Sequence, residues 1–306
     1  MKFDFDIEKP LSHPKRDQFM EKIESMVGLP TLPIIASQLQ QVLRDNNLSI
    51  GQMIPIISKD PSLAMKILKT ANSAYYGLKF KVESLRQAIV IIGMQELTVL
   101  ALVFSVAKTI DRDQFSPISW KRFWEHSAAT AHIADQLNKK YRLGFPNSAF
   151  SIGLLHDIGK LILYLLDGDL YEEAIKLAQS SSYSSVDAEN ELFGLSHIEA
   201  GQLIMEKWNL PDTLQFGAAC HHHPQIAPEE EYKRLAALIQ TADLLSNAKG
   251  LNFGTSPLST LPENVDGWQL LQVHYPELSA TSIDVVLADL DDQMEEIKKT
   301  ISLIET

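Results

Sequence analysis

Ser84-Leu85-Arg86-Gln87-Ala88-Ile89-Val90-Ile91-Ile92-Gly93-Met94-Gln95-Glu96-Leu97-Thr98-Val99-Leu100-Ala101-Leu102-Val103-Phe104-Ser105-Val106-Ala107 is the stretch on which the fold turns. Its apolar residues do not alternate with period two, so it does not read as a strand. A helix drawn through it is apolar almost all round, which places it in a protein core. Ser84 opens the segment, Gly93 breaks or bends it, and it continues to about Thr109. Arg86, Gln95, Glu96 and Lys108 interrupt it, so it falls short of the roughly 18 uninterrupted apolar residues of a membrane-spanning helix.

Working outward, the pattern stays helical. From Leu32 to Ala107, apolar residues recur at spacings of three and four, punctuated by Pro and Gly. Asp60-Pro61 reads as a helix start, with Asp as the cap and Pro in the first turn, where its missing N–H is not needed. That helix is expected over 62–72. Asp111-Arg112-Asp113 with Ser116-Pro117 reads as a linker. Beyond it, helices are expected over 119–141, 148–166, 170–179, 196–208, 212–222 and 232–248. Ser180 to Ser185 reads as an exposed loop, and Gly250 to Gly267 as a looser segment with Pro257 and Pro262. A last helix, 282–304, repeats Val286, Leu290, Met294, Ile297, Ile301 and Ile304. The predicted fold class is all-α with two helical lobes. The expected division is 20–112 for the first lobe, 113–250 for the second, and 251–306 for the loop and C-terminal amphipathic helix.

Composition narrows the function classes. Of 306 residues, 45% are hydrophobic and 22% charged, which excludes a chain disordered throughout. The formal net charge of −12 disfavours nonspecific attraction to nucleic acid or to an anionic membrane. Cys220, the single cysteine, cannot form an internal disulfide, which favours a reducing compartment. Met1 to Asp6 lack the apolar stretch of a signal peptide. A soluble, cytoplasmic protein is expected, with neither nucleic acid nor membrane as partner.

Seven polar residues do not fit a bland bundle. His126 lies inside an amphipathic helix, and His156-Asp157 inside Gly153-Leu154-Leu155-His156-Asp157-Ile158-Gly159-Lys160. His197 follows Ser196, a helix cap. His221-His222-His223 ends a helix before Pro224, and Asp243 lies in the apolar Ile239-to-Leu245 stretch. A buried charge such as Asp157 or Asp243 is costly unless it is paired or binds a metal. Imidazole and carboxylate together suit divalent transition ions. Consecutive His156 and Asp157 point about 100° apart on a helix, so one ion between them could touch both, and His221-His222 share that spacing. Pro224 should splay His223 away from its neighbours. Taken singly, a histidine on an apolar helix is ordinarily a satisfied core residue. The joint pattern argues otherwise, because five of the six helical segments in this block carry a candidate. His132 reads as a surface or packing residue and Cys220 as a small core residue. His13 and His274 carry no assigned role.

That joint pattern resembles the HD superfamily of metal-dependent phosphohydrolases on His126, His156-Asp157 and Asp243. His197 and His221-His222 resemble the expanded ligand set of its two-metal members, including HD-GYP proteins. A second resemblance covers more of the chain, from about Met20 to Ala248. Leu29-Pro30-Thr31-Leu32-Pro33, Ser58-Lys59-Asp60-Pro61-Ser62-Leu63, Ala71-Asn72-Ser73-Ala74-Tyr75-Tyr76-Gly77 and Ser84-Leu85-Arg86-Gln87-Ala88-Ile89 with Ile92-Gly93 resemble the HDOD family, the HD-related output domains of bacterial signalling. The resemblance implies an all-helical protein with an HD-like second lobe and a regulatory role. Many HDOD members lack the metal-binding residues, whereas this sequence keeps a full set. After His223-Pro224 comes Gln225-Ile226-Ala227-Pro228 and three glutamates, with no Gly-Tyr-Pro triplet, which argues against cyclic di-GMP hydrolysis.

With that ligand set, His126, His156, Asp157, His197, His221, His222 and Asp243 are expected to hold one or two ions of iron, manganese or zinc. Asp157 would bridge them. Paired ions suit in-line phosphoryl displacement. Lys160, three residues after Asp157 and on the same helix side, could contact a phosphate or protonate a leaving group. Two functions are therefore expected. The main one is a metal-binding output or interaction module with a signalling protein partner. The alternative is a phosphohydrolase acting on a nucleotide or other phosphoester through Asp157 and Lys160. The apolar stripe of the acidic last helix is expected either to pack back on the body or to form a homodimer.

Overall fold

The computed structural model describes residues 13–25, 34–44, 49–73, 76–109, 117–145, 149–180, 183–253 and 265–305. Among the described residues there are α-helices and short 3-10 turns but no strands, as the periodicity predicts. The first group is α1 (Arg16–Ser25), α2 (Ile34–Arg44), α3 (Ile50–Ile57), α4 (Pro61–Ala71), α5 (Leu85–Ile92) and α6 (Met94–Thr109). The second begins with α7 (Pro117–Lys140), α8 (Ala149–Leu155), α9 (Ile158–Leu166), α10 (Gly168–Ser180), α11 (Ser185–Phe193), α12 (His197–Lys207) and α13 (Asp212–Ala219). It ends with α14 (Glu230–Ala248), α15 (Asp266–His274), α16 (Pro276–Ser279) and α17 (Ile283–Glu305). The Leu29-to-Pro33 motif, Ala74-Tyr75, the linker at 111–116, Pro257 and Pro262 lie outside the described residues.

Local chemistry builds the first group. Asp60 caps α4, its Oδ1 accepting from the backbone N–H groups of Ser62 (2.9 Å) and Leu63 (3.2 Å). Asn72, just past α4, ties the chain ahead of α5 to the helix end. Its side-chain oxygen accepts from Val82 N (2.7 Å), and its Nδ2 donates to Val82 O (2.8 Å). At Gly93 the chain turns by 108° between α5 and α6. Helix α6 is buried on nearly every side, from Leu97 through Ala107 with Ser105 half-buried, as its composition requires.

α7 is the spine of the second group, contacting α8, α14 and α17. Two close approaches set the site. A Cβ at Gly153 would fall 2.5 Å from the Cα of Ala131, so only glycine lets α8 lie this near α7. A Cβ at Gly159 would fall 1.8 Å from the carbonyl oxygen of His197, so only glycine lets α9 meet the start of α12. Ser196 caps α12 in a reciprocal box with Glu199, which places His197 at the first helical position.

The structure departs from the sequence reading in four places. The helix expected over 148–166 is broken into α8 and α9 at His156-Asp157. The expected exposed loop ends at Ser184, where the unforeseen α11 begins. α13 ends at Ala219, leaving His221 and His222 in the following turn rather than on the helix. Finally, Ala149–Leu166 matches a membrane span in length and apolar content, but 89% of it is buried among the other helices and His156, Asp157 and Lys160 lie within it. The α17 stripe packs back on the body: Val286, Leu290 and Ile297 are buried, and the helix lies against α7 and α4.

Candidate metal centre

Six elements bring the predicted residues to one point. His126 projects from α7, and His156 and Asp157 from the break between α8 and α9. His197 starts α12, His221 and His222 follow α13, and Asp243 lies on α14. The geometry is organised by Asp157. Its Oδ2 lies 3.3 Å from His126 Nε2 and 3.3 Å from His156 Nε2. Its Oδ1 lies 3.4 Å from His197 Nε2 and 3.8 Å from His221 Nε2. Asp243 Oδ1 joins the first set, 3.1 Å from His126 Nε2 and 4.0 Å from His156 Nε2. His222 joins the second, its Nε2 3.1 Å from His197 Nε2. His223 is exposed and turned away, as the following proline predicts.

The histidines are aimed by what holds their other ring nitrogen. Nδ1 of His126 donates to Leu251 O (2.9 Å), that of His156 to Gly153 O (2.7 Å) and that of His221 to Ala218 O (2.5 Å). Nδ1 of His197 donates instead to the carboxylate of Glu189 on α11 (2.6 Å). Each such bond turns Nε2 toward the centre, where it offers a lone pair whenever the ring is neutral. The sequence reading missed Glu189. Asp187, Glu189 and Glu191 look alike there, and only the fold shows that Glu189 is the one turned inward.

Lys160 is buried beside Asp157, its ammonium 2.7 Å from Oδ2. Asp157, Asp243 and Glu189 are buried as well, so among the described residues, with neutral imidazoles, three carboxylates face one ammonium. Burial opposes charge on His126, but Asp157 and Asp243 hold the ring up to about 9. Burial, and after it the neighbouring His156 ring, pushes His221 down to about 3. His222 is held well below the usual histidine range by burial and then by His221 and His197. Burial would raise Asp157, yet His156 and Lys160 hold it well below the usual carboxylate range.

The donor set fits a cation. Among the described residues, His156 Nε2, His221 Nε2 and Asp157 Oδ1 are buried without a hydrogen bond, whereas His126 Nε2 and Asp157 Oδ2 are met by the ion pairs to Asp243 and Lys160. Such orphaned atoms are expensive unless something fills the space between them. Ligand atoms of His126, His156 and Asp157, of His156, His221 and Asp243, and of His197, His221 and His222 each lie within 4.8 Å of one another.

His132, expected at the surface or in packing, is fully buried on α7, and Cys220 is a buried core residue. Lys160, equally readable as a solvent-exposed lysine, is instead part of the centre.

The HDOD domain family model matches residues 29–224. The chain belongs to the HDOD family. Solved structures similar to this HDOD chain share its fold. An HDOD domain protein of unknown function from Geobacter sulfurreducens superposes with a TM-score of 0.74 at 23% identity, covering 94% of this chain and 98% of that one. A proposed phosphohydrolase from Shewanella amazonensis SB2B gives 0.68 at 23% identity, covering 94% and 97%. A proposed signal transduction protein from Marinobacter aquaeolei VT8 gives 0.67 at 20% identity, covering 95% and 66%. An uncharacterized protein of Treponema pallidum (strain Nichols) is 23% identical over 220 residues, which are 71% of this HDOD chain but 42% of that protein. The chain thus spans about two fifths of the length of that curated relative.

Proposed function

We propose that this HDOD chain is a regulatory signalling module whose HD-like lobe holds a pair of divalent transition-metal ions. The observation that carries the reading is the division of Asp157: one carboxylate oxygen faces His126 and His156, the other His197 and His221. His126, His156, Asp157 and Asp243 would hold one ion, and His197, His221, His222 and Asp157 the other. Iron, manganese and zinc all accept these donors. Closure of the centre favours an output or interaction role, since structural ions sit in closed sites and catalytic ones keep an open position. His126, His156, Asp157, His197 and His221 are all buried, and only His222 and the edge of Asp243 reach solvent. The ions would then tie α7, α8, α12 and α14 into one body presented to a partner protein. The similar Marinobacter protein, named for signal transduction, supports the same role.

A phosphohydrolase is the second reading, favoured by Lys160. Paired ions supply water activation and charge neutralisation for phosphoryl transfer. The ammonium of Lys160, buried next to the bridging carboxylate, is placed to hold a phosphate oxygen or give a proton to a leaving group. The exposed edge at His222 and Asp243 is where a phosphoester would enter.

Elemental analysis of protein purified without a metal-affinity tag tests the first reading. Two transition ions per chain are expected, falling in Asp157→Ala; substoichiometric content of every transition metal overturns it. A screen of the loaded protein against nucleotides, cyclic dinucleotides and generic phosphoesters separates the two readings. Turnover abolished by Asp157→Ala supports the enzyme, and full loading without turnover supports the module.

A further inference from the structure

We propose that Glu189 is a positioning residue for one half of the centre only, the half built from His197, His221 and His222. This rests on the metal reading above. Glu189 is buried on α11, and its Oε2 accepts two bonds from a single residue: His197 N at 2.7 Å and His197 Nδ1 at 2.6 Å. Its Oε1 accepts from the hydroxyl of Tyr171 on α10 at 3.3 Å. One carboxylate therefore fixes both the backbone at the start of α12 and the plane of the ring. With Nδ1–H committed, Nε2 of His197 can only present its lone pair toward Asp157 Oδ1 and His222 Nε2.

The other half is held differently. His126 and His156 lean on the backbone carbonyls of Leu251 and Gly153, which no side-chain substitution removes. In the His197 half His221 also leans on a backbone carbonyl, that of Ala218, but His197 itself depends on a side chain, and a charged one. A carboxylate partner raises the basicity of the ring and adds negative charge behind the ion, which a carbonyl does less strongly. The two halves can therefore be separated by changing a residue that touches no ion.

The test uses the full chain stripped of metal and titrated with Mn(II), followed by elemental analysis and electron paramagnetic resonance. Wild type is expected to take two ions and to show the signal of a coupled pair. Glu189→Ala should bind the second ion roughly 10–100-fold more weakly and show an isolated-ion signal, with the first ion retained. Glu189→Gln keeps an acceptor for Nδ1 but loses the charge, and should weaken the second ion less. If Glu189→Ala does not fold, as judged by circular dichroism, Glu189→Gln alone decides. Unchanged affinity for both ions, or equal loss of both, overturns the assignment while leaving the metal reading intact. A wild type that takes up fewer than two ions overturns the paired centre and the role of Glu189 with it.

Discussion

Gly159 and His197 meet backbone to backbone: a Cβ at Gly159 would sit 1.8 Å from the carbonyl oxygen of His197 and 2.6 Å from the amide nitrogen of Gly201. Neither atom can swing aside as a flexible side chain would. Gly159→Ala must therefore push α12 off α9 and carry His197 away from Asp157. Overpacking ordinarily costs about 1–3 kcal/mol, and a clash against backbone falls at the upper end of that range. Gly201→Ala is the matched control, since its Cβ would approach the Gly159 amide nitrogen only to 3.2 Å, which a shift of tenths of an ångström relieves. Urea denaturation should show a loss at least twice as large for Gly159→Ala as for Gly201→Ala. Equal losses would mean that the contact is not what sets the spacing.

Lys160 and Asp157 form a buried pair, and removing one partner strands the other. Lys160→Met should destabilise the metal-free protein by about 3–5 kcal/mol. A bound cation would then be the main compensation for Asp157. Thermal melts with EDTA and with excess Mn(II) should show a larger metal-induced gain in Tm for Lys160→Met than for wild type. The same gain in both proteins would show that lysine and metal do not share the carboxylate.

The helical class, the bend at Gly93 and the convergence of seven ligand candidates were legible because each left a strong local mark. Apolar period, a capping Asp-Pro, and acids or histidines stranded among leucines are visible one residue at a time. The break between α8 and α9 was not legible, since Leu155-His156-Asp157-Ile158 continues the helical pattern unbroken. The His156 ring bonds back locally to Gly153 O at the end of α8, and the tertiary part is that Asp157 is surrounded by groups from α7, α12 and the turn after α13. Glu189 was invisible for the same reason. Its partners, His197 and Tyr171, lie 8 and 18 residues away, and nothing in the acidic α11 sequence marks which carboxylate turns inward.

Glu96 on α6 is fully buried and hydrogen-bonded to Ser151 on α8, so it joins the first helical group to a helix of the centre. Burial raises its carboxyl to about 8, against the opposing bond from Ser151 and with help from Asp135. The folded protein thus holds this proton where the unfolded chain, near the ordinary 4.5, has released it. Stability from this group is full below the unfolded value and is lost as pH rises through the window from 4.5 to about 8. The ceiling is roughly 1.4 kcal/mol per pH unit crossed. Denaturation midpoints taken across that window should fall more steeply with pH in wild type than in Glu96→Gln, which cannot ionise. Parallel pH slopes would remove Glu96 from the account, and the difference between the two proteins cancels the titration of the histidines.

Arg16 on α1 reaches across to the entrance of α12, where Nη1 donates to Gly194 O (2.7 Å) and Nη2 to Glu199 Oε1 (2.5 Å). Glu199 is itself half of the capping box that starts α12 at His197. One turn on, Phe19 packs on Phe193 with ring centroids 5.0 Å apart, and at the other end of α1 Lys207 donates to Glu24 O (3.2 Å). The N-terminal helix is therefore clamped along the element that presents His197. Arg16→Met keeps the apolar stem and removes both polar contacts, and should cost about 1 kcal/mol, since the pair is partly exposed. The sharper expectation is kinetic: amide exchange at Ser196 and His197 should accelerate in Arg16→Met, with exchange in the middle of α7 unchanged. Uniform acceleration across the chain would make Arg16 a general stabiliser rather than a clamp on the α12 cap.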